Sequence, residues 1–323
     1  TTGQWNVGLD LALLNNRIRL TADYYHKKTT NLLNDVEMPR SSGYTTALRN
    51  VGAIRNAGVE LQLDTRIIDK AVKWDFGVNL SVNRSKVLSL SDDKDIFGST
   101  VSNTIISDQL NLMRIGEPMY VFYGYVEEGY DDNGQLVYKD LDGVDGITPA
   151  DKTIIGNPNP DCLLNFNTAV SYKGFTLSAF FQGSIGNDIY SLSMASAAYD
   201  YSSNANTLRE VLYNHWTPEK PHAKYPNLRQ DIALKMSDRF VYDGSYMRLK
   251  NLELSYNIPC SKSRVISKAR VYVSAQNLWT ITSYPFWDPD VNAKGGSTSL
   301  AQGIDASCYP GARTFTLGCR LVF

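Results

Sequence analysis

The 323-residue chain lacks most of what usually points to a function, and each shortage removes a class. Its longest apolar and aromatic run, 119–126, is far shorter than the roughly 20 residues of a membrane-spanning helix. Excess charge is missing too: 32 basic against 33 acidic residues leave a net charge of -1, which supplies no electrostatic footprint for nucleic acid. Four cysteines (Cys162, Cys260, Cys308, Cys319) form no CxxC pair. The three histidines, His26, His215 and His222, have no metal-site spacing, and loop polarity accounts for them. GxxxxGK[ST], GxSxG and HExxH are all absent, so no nucleotide-binding, hydrolase or zinc-protease motif is present. Mean hydropathy is only -0.28, an average that does not distinguish a soluble protein from a β-barrel with half of each strand facing water.

What is abundant is alternation. Phe315, Leu317, Cys319, Leu321 and Phe323 fall on one face of the last strand, and Thr314, Thr316, Gly318 and Arg320 on the other. The same dyad runs through Trp5, Val7, Leu9, Leu11 and Leu13, and again through Ile18, Leu20, Ala22 and Tyr24, the two runs flanking a tight-turn pair, Asn15 and Asn16. A second hairpin joins 59–64 to 74–83, and a third joins 164–172 to 175–182. In 246–257 the phase slips between Leu249 and Leu252, which predicts a bulge near Lys250 and Asn251. With 269–279 and the last run the count is nine, each about the length of a tilted membrane-spanning strand.

The connections alternate between short (Asn15 and Asn16; Asp69 and Lys70; Lys173; 259–268) and long (31–54, 86–160, 185–243 and 281–311). Outer-membrane barrels have short periplasmic turns and longer extracellular loops. The predicted fold class is therefore all-β, an antiparallel transmembrane β-barrel, with the first strand starting outside and Phe323 ending inside. Trp5 and Trp279 then fall at the outer interface, and Trp74, Tyr172, Tyr256 and Phe323 at the inner one, as girdle aromatics do. Cys162 and Cys308 lie on the extracellular side, where a bridge is chemically permitted.

Candidate ligand contacts come from the long loops, where rings cluster with polar groups: Tyr123, Tyr125 and Tyr130, then Trp216, then Phe286, Trp287 and Asp288. Flat aromatic faces beside carboxylates suit sugar rings and equally peptides. The acidic loop 140–151 offers Asp140, Asp142, Asp145 and Asp151 as a calcium candidate. It departs from an EF-hand at position five (Val144), at position six (Asp145 where the turn wants Gly) and at position twelve (Asp151 in place of Glu).

Several segments carry a family resemblance: NVGAIRNAGVE at 50–60, IGNPNP at 155–160 followed by FTLSAFFQGSIG at 175–186, DGSYMRLKN at 243–251, YVSAQNL at 272–278, and Tyr309 with Pro310 ahead of the last strand. Together they resemble the C-terminal barrel of SusC/RagA-type TonB-dependent transporters, in order and across essentially the whole chain. The resemblance implies nutrient import across the outer membrane of a Bacteroidota-type bacterium, a SusD-like surface lipoprotein as partner, and energy from the TonB complex acting through an N-terminal part. A glycan oligosaccharide is the expected substrate, with a peptide as the alternative, and no cofactor is expected. Large transporters have about 22 strands around a plug, so residues 1–323 are expected to be the C-terminal portion of such a barrel, without plug or N-terminal strands. Two other classes stay open at this point: a β-sandwich adhesin or binding module, and a β-architecture carbohydrate-active enzyme. The segregation of short and long connections to opposite ends argues against the sandwich, and the absence of assignable paired acids argues against the enzyme.

Overall fold

Alternating faces and tight turns assemble a single open sheet. The computed structural model describes all residues except 38–40, 42, 44–45, 99, 202–205, 229–233, 261–264 and 292–301. Nine long strands pair antiparallel in strict chain order: β1 (Thr2–Leu13), β2 (Ile18–Glu37), β3 (Thr46–Asp69), β4 (Val72–Leu90), β5 (Cys162–Tyr172), β6 (Phe175–Ile185), β7 (Tyr246–Ile258), β8 (Lys268–Thr282) and β9 (Thr314–Val322). The strands form one sheet, so the sandwich alternative falls. Asn15 and Asn16 (φ 55° and 65°) close the first hairpin in left-handed conformation, as do Lys173 and Gly174 (φ 46° and 87°) in the third. The anticipated bulge lies between Leu249 and Asn251, where the register shifts against both neighbours.

Register turns each strand's dyad into rows that cross the sheet. On one face Trp74, Val170, Leu177, Leu254, Val273 and Leu317 are successive partners. On the other, Asp10, Thr21, Gln62, Asn79, Asn165, Gln182, Arg248 and Thr280 are. The apolar row is the more exposed: Leu177, Val273 and Leu317 present 48%, 53% and 81% of their surface. That inverts the pattern of a water-soluble sheet and matches a wall whose apolar face meets lipid. Trp74 keeps its indole N–H satisfied on Thr168 Oγ1 at 2.9 Å, and Phe175 packs on Tyr256 with centroids 4.4 Å apart. β1 and β9 are the sheet's two edges, and among the described residues they do not pair with each other.

Two expectations change. The region 31–54 is mostly strand, because β2 and β3 keep pairing up to Glu37 and Thr46. Register shifts at 30–33 and 53–54, with Asn31 (φ 56°) and Gly52 (φ 150°) left-handed, reset the dyad there and erase it from the sequence. The tip of that connection lies outside the described residues. The other long connections are not open loops. Strands Ile96–Phe97, Asn111–Met113, Val121–Gly124 and Thr153–Gly156 form a four-stranded sheet. Asp188–Ser191 pairs with Val241–Asp243 and, in parallel, with Ile304–Asp305, next to helices α1 (Leu192–Tyr199) and α2 (Arg209–Asn214). Leu110, Phe122, Tyr190, Met236, Phe240 and Ile304, drawn from all three connections, are fully buried together. Each such side chain contributes about 1.5–3 kcal/mol, so the principal buried core belongs to this extracellular cap and not to the sheet. All four cysteines are free thiols, so the contemplated bridge from Cys162 to Cys308 is not formed.

Candidate functional site

Within the cap, the hairpin of Glu127–Tyr130 and Leu136–Tyr138 carries the first aromatic. Its turn is set by the Asp131 carboxylate, whose Oδ1 accepts the backbone N–H groups of Asn133 (2.9 Å) and Gln135 (2.8 Å). Gly134 follows at φ 74°, and the Trp216 indole packs so closely on it that a Cβ there would lie 2.5 Å from the ring. Trp216 is itself fixed by its backbone N–H donating to Tyr225 O at 2.8 Å. Tyr130 and Trp216 thereby line one cleft of about 610 Å³, together with Glu128, Asp132, His222 and Arg239.

Arg239 is the centre of this arrangement. Its guanidinium forms a two-point ion pair with Glu127, and both side chains are nearly buried. It also donates to Lys224 O (2.7 Å), Tyr199 Oη (2.9 Å) and Tyr130 Oη (3.0 Å), and lies over the Tyr130 ring 5.5 Å from its centroid. Burial is the largest single influence and works against its charge, but the hydrogen bonds to Glu127 together with the electrostatic attraction of Tyr199, Glu127 and Tyr130 outweigh it and hold Arg239 firmly protonated. A planar donor fork with every arm occupied ties three segments of the cap into one unit. Burial pushes the nearby Tyr138 hydroxyl up to about 12, so it stays neutral at physiological pH. With Glu127 paired to Arg239 and one oxygen of Asp131 given to the turn, Glu128 and Asp132 supply the cleft's uncommitted carboxylates beside two aromatic side chains.

The other sequence-selected residues lie elsewhere. Tyr123 packs on Phe97 and under Arg114, 5.8 and 5.3 Å away. Tyr125 is buried between the ammonium groups of Lys152 (5.4 Å) and Lys235 (5.0 Å), a packing position. Phe286 stacks on Trp287 at 5.1 Å, and Trp287 is 64% exposed. Asp288 is engaged by Arg248, which stands in the polar row of β7 and is almost fully buried. Arg239 and Arg248 escaped sequence reading because their partners lie 112 and 40 positions away. Arg239 lies in a single 3-10 turn, Asp238–Phe240, and Arg248 offers only the local signal of an arginine on a strand's polar face, which any barrel wall carries.

Of the acidic loop, Asp140, Asp142 and Asp151 converge, with carboxylate oxygens within 4.8 Å of one another, and Asp145 is not in the group. Their oxygens already serve the backbone: Asp151 accepts from Thr148 N (2.7 Å), Leu141 N (2.7 Å) and Asp142 N (3.1 Å), and Asp140 accepts from Gly143 N (2.6 Å). The Thr148 and Leu141 amides hold the Asp151 carboxyl below its usual range. The geometry is that of a self-capped turn.

Comparison with known proteins follows the same outline. Residues 1–278 match the family described as TonB dependent receptor-like, beta-barrel. TonB-dependent receptor P3 of Formosa agariphila is 35% identical over the whole chain, and TonB-dependent receptor SusC of Bacteroides thetaiotaomicron is 30% identical over the whole chain. A solved structure of the RagAB peptide transporter superposes on 99% of the chain with a TM-score of 0.83 at 26% identity. The chain spans 34% and 32% of the two receptors and 35% of the solved chain, about a third of each.

Proposed function

The chain belongs to the TonB-dependent receptor-like β-barrel family of outer-membrane proteins, of the SusC/RagA type, and from that premise we propose that it forms the ligand-recognising wall and cap of a nutrient importer. Its edges β1 and β9 pair with further strands of a larger closed barrel, since unpaired backbone groups cost several kcal/mol each in hydrocarbon. The partner is a surface lipoprotein of the SusD kind, and the energy comes from TonB acting through another part of the protein.

The substrate we propose is an oligosaccharide. The observation that carries this is the cleft in which Tyr130 and Trp216 stand beside Glu128, Asp131 and Asp132. Ring faces stack on the apolar faces of sugars while carboxylates accept their hydroxyls. A peptide is the second reading, favoured by the likeness to the RagAB peptide transporter and by the acidity of the same cleft, which suits basic side chains.

The test uses the complete receptor, purified and incubated separately with size-fractionated neutral oligosaccharides and with a tryptic peptide pool, the retained species being identified by mass spectrometry. Oligosaccharide retention that is lost in Trp216→Ala and Tyr130→Ala supports the proposal. Retention of peptides alone replaces it with the second reading, and retention insensitive to both substitutions removes the cleft from recognition. Trp216 is itself only 9% exposed, so proteolysis of the cap is read beside retention in Trp216→Ala, and Tyr125→Ala, buried and outside the cleft lining, serves as the packing control.

A further inference from the structure

The connection from β8 to β9 does not simply project outward. Asp288 reaches the polar face of the sheet and meets Arg248, three residues into β7 and only 3% exposed. The guanidinium is fully committed: Nε donates to Thr280 Oγ1 at 3.0 Å, one terminal nitrogen pairs with Asp288, the other lies 3.7 Å from Asp290, and the group rests 5.2 Å from the Tyr246 ring centroid. Asp288 in turn organises the chain around it, accepting the backbone N–H of Asp290 (2.9 Å) and of Gly311 (3.3 Å) from the far end of the same connection. Immediately before Asp288 stands Trp287, exposed and stacked flat on Phe286 at 15°.

We propose that Arg248 is a positioning residue: it clamps segment 286–290 to the inner wall of the barrel and thereby presents Trp287 as a stacking platform for a ring of the transported ligand. This rests on the recognition function proposed above. A strand supplies the rigid anchor, the two carboxylates set the segment's approach, and an aromatic stack with two stiff side chains supplies contact area at low entropic cost. A free segment of five residues bearing an exposed indole would have no fixed geometry to offer a ligand. The charge on Asp288 serves the clamp and is not available to the substrate.

The experiment separates the clamp from the platform. Hydrogen exchange of the complete receptor is measured by mass spectrometry across 284–291 and 309–313 in wild type, Arg248→Met, Asp288→Asn and Trp287→Ala, with heat-modifiable gel migration as the folding control. Arg248→Met and Asp288→Asn are expected to raise exchange there roughly a hundredfold, as for a buried pair deprived of one partner, and Trp287→Ala is expected to leave it unchanged. Affinity for whichever probe class wild type retains, neutral oligosaccharides or tryptic peptides, should fall roughly three- to tenfold in each single variant. Arg248→Met should add nothing once Trp287 is Ala, because Arg248 acts through it. Unchanged exchange in both Arg248→Met and Asp288→Asn overturns the clamp, and an additive loss of affinity in the double variant overturns the platform. If wild type retains neither probe, the functional reading fails and the platform with it, while the exchange arm still decides whether Arg248 holds the segment.

Discussion

One row of the sheet samples several depths of the membrane, which makes it a ruler for the whole account. Leu177, Leu254, Val273 and Leu317 are direct partners across β6, β7, β8 and β9. A strand rising about 3.4 Å per residue and tilted about 45° climbs about 2.4 Å per residue along the barrel axis. Leu177 lies two residues from Phe175 at the inner interface, or about 5 Å deep. Leu317 lies six residues from Phe323, or about 14 Å deep. Independently, each step between strands spaced about 4.8 Å apart and tilted about 45° shifts depth by about 3.4 Å, so the three steps from β6 to β9 add about 10 Å, in agreement with the first calculation. With an apolar band about 25 Å tall, Val273 and Leu317 flank the midplane and Leu177 lies near the inner interface. Arginine should therefore cost about 2–4 kcal/mol at Leu317 or Val273, less at Leu254, and about 1 kcal/mol or less at Leu177, where the side chain can reach the headgroups. Thr316→Arg, on the polar face beside Leu317, should be close to neutral. The assay is reversible urea unfolding of the complete receptor in phospholipid vesicles, with unfolding free energies compared across the five variants. Equal costs at all four row positions, or a Thr316→Arg cost matching that of Leu317→Arg, would refute the facing and tilt assignments together.

Further outcomes follow from the cap and the edges. Tyr284→Phe removes a hydroxyl that donates to the buried Asp305 carboxylate at 2.6 Å and lies 2.8 Å from Ser191 Oγ; it should destabilise the cap by about 1–3 kcal/mol, read as faster proteolysis of 186–245 with unchanged barrel migration on gels. Gly134→Val combines a positive φ with a clash against Trp216 and should cost about 2–4 kcal/mol, displacing the indole and weakening ligand retention together with Trp216→Ala. The Asp151 carboxyl is held below its usual range, so the order it gives to 140–151 is fully present above the unfolded pKa of about 3.9 and is lost as pH falls through the lower folded value. Hydrogen exchange of that loop, corrected for intrinsic rates, should be flat from neutrality to about pH 5 and rise only in stronger acid. Residues 1–323 refolded alone in detergent, with both sheet edges unpaired, should show no heat-modifiable migration and no conductance in planar bilayers; a monodisperse, protease-resistant monomer would contradict the need for further strands.

The sheet was legible because its information is local. Period two, the Asn15 and Asn16 turn, and the phase slip at Leu249 are each written within a dozen residues, and the nine strands, their order and the bulge all follow from them. The outer reaches of β2 and β3 were not legible, since each bulge swaps the two faces and cancels the alternation that reveals a strand. The cap was hidden for a different reason. Its core joins residues from three connections, and its ties span long separations: Arg239 with Glu127, Tyr284 with Ser191, and Asn111 with Gln302 O. Aromatic content alone therefore gathered residues with different duties. Tyr130 and Trp216 line the cleft, Tyr125 is packing, Trp287 is an exposed surface, and Asp288 is one half of an ion pair.

The claim on which all of this depends is that one face of the sheet meets lipid and the other water. Single nitroxide labels placed in turn at positions 314–321 of the complete receptor in vesicles, with relaxation by oxygen and by a water-soluble nickel chelate measured at each, address it directly. The account predicts strict alternation, with oxygen favoured at 315, 317, 319 and 321 and the chelate favoured at 314, 316, 318 and 320. Uniform accessibility along the strand, or alternation in the opposite phase, would contradict it.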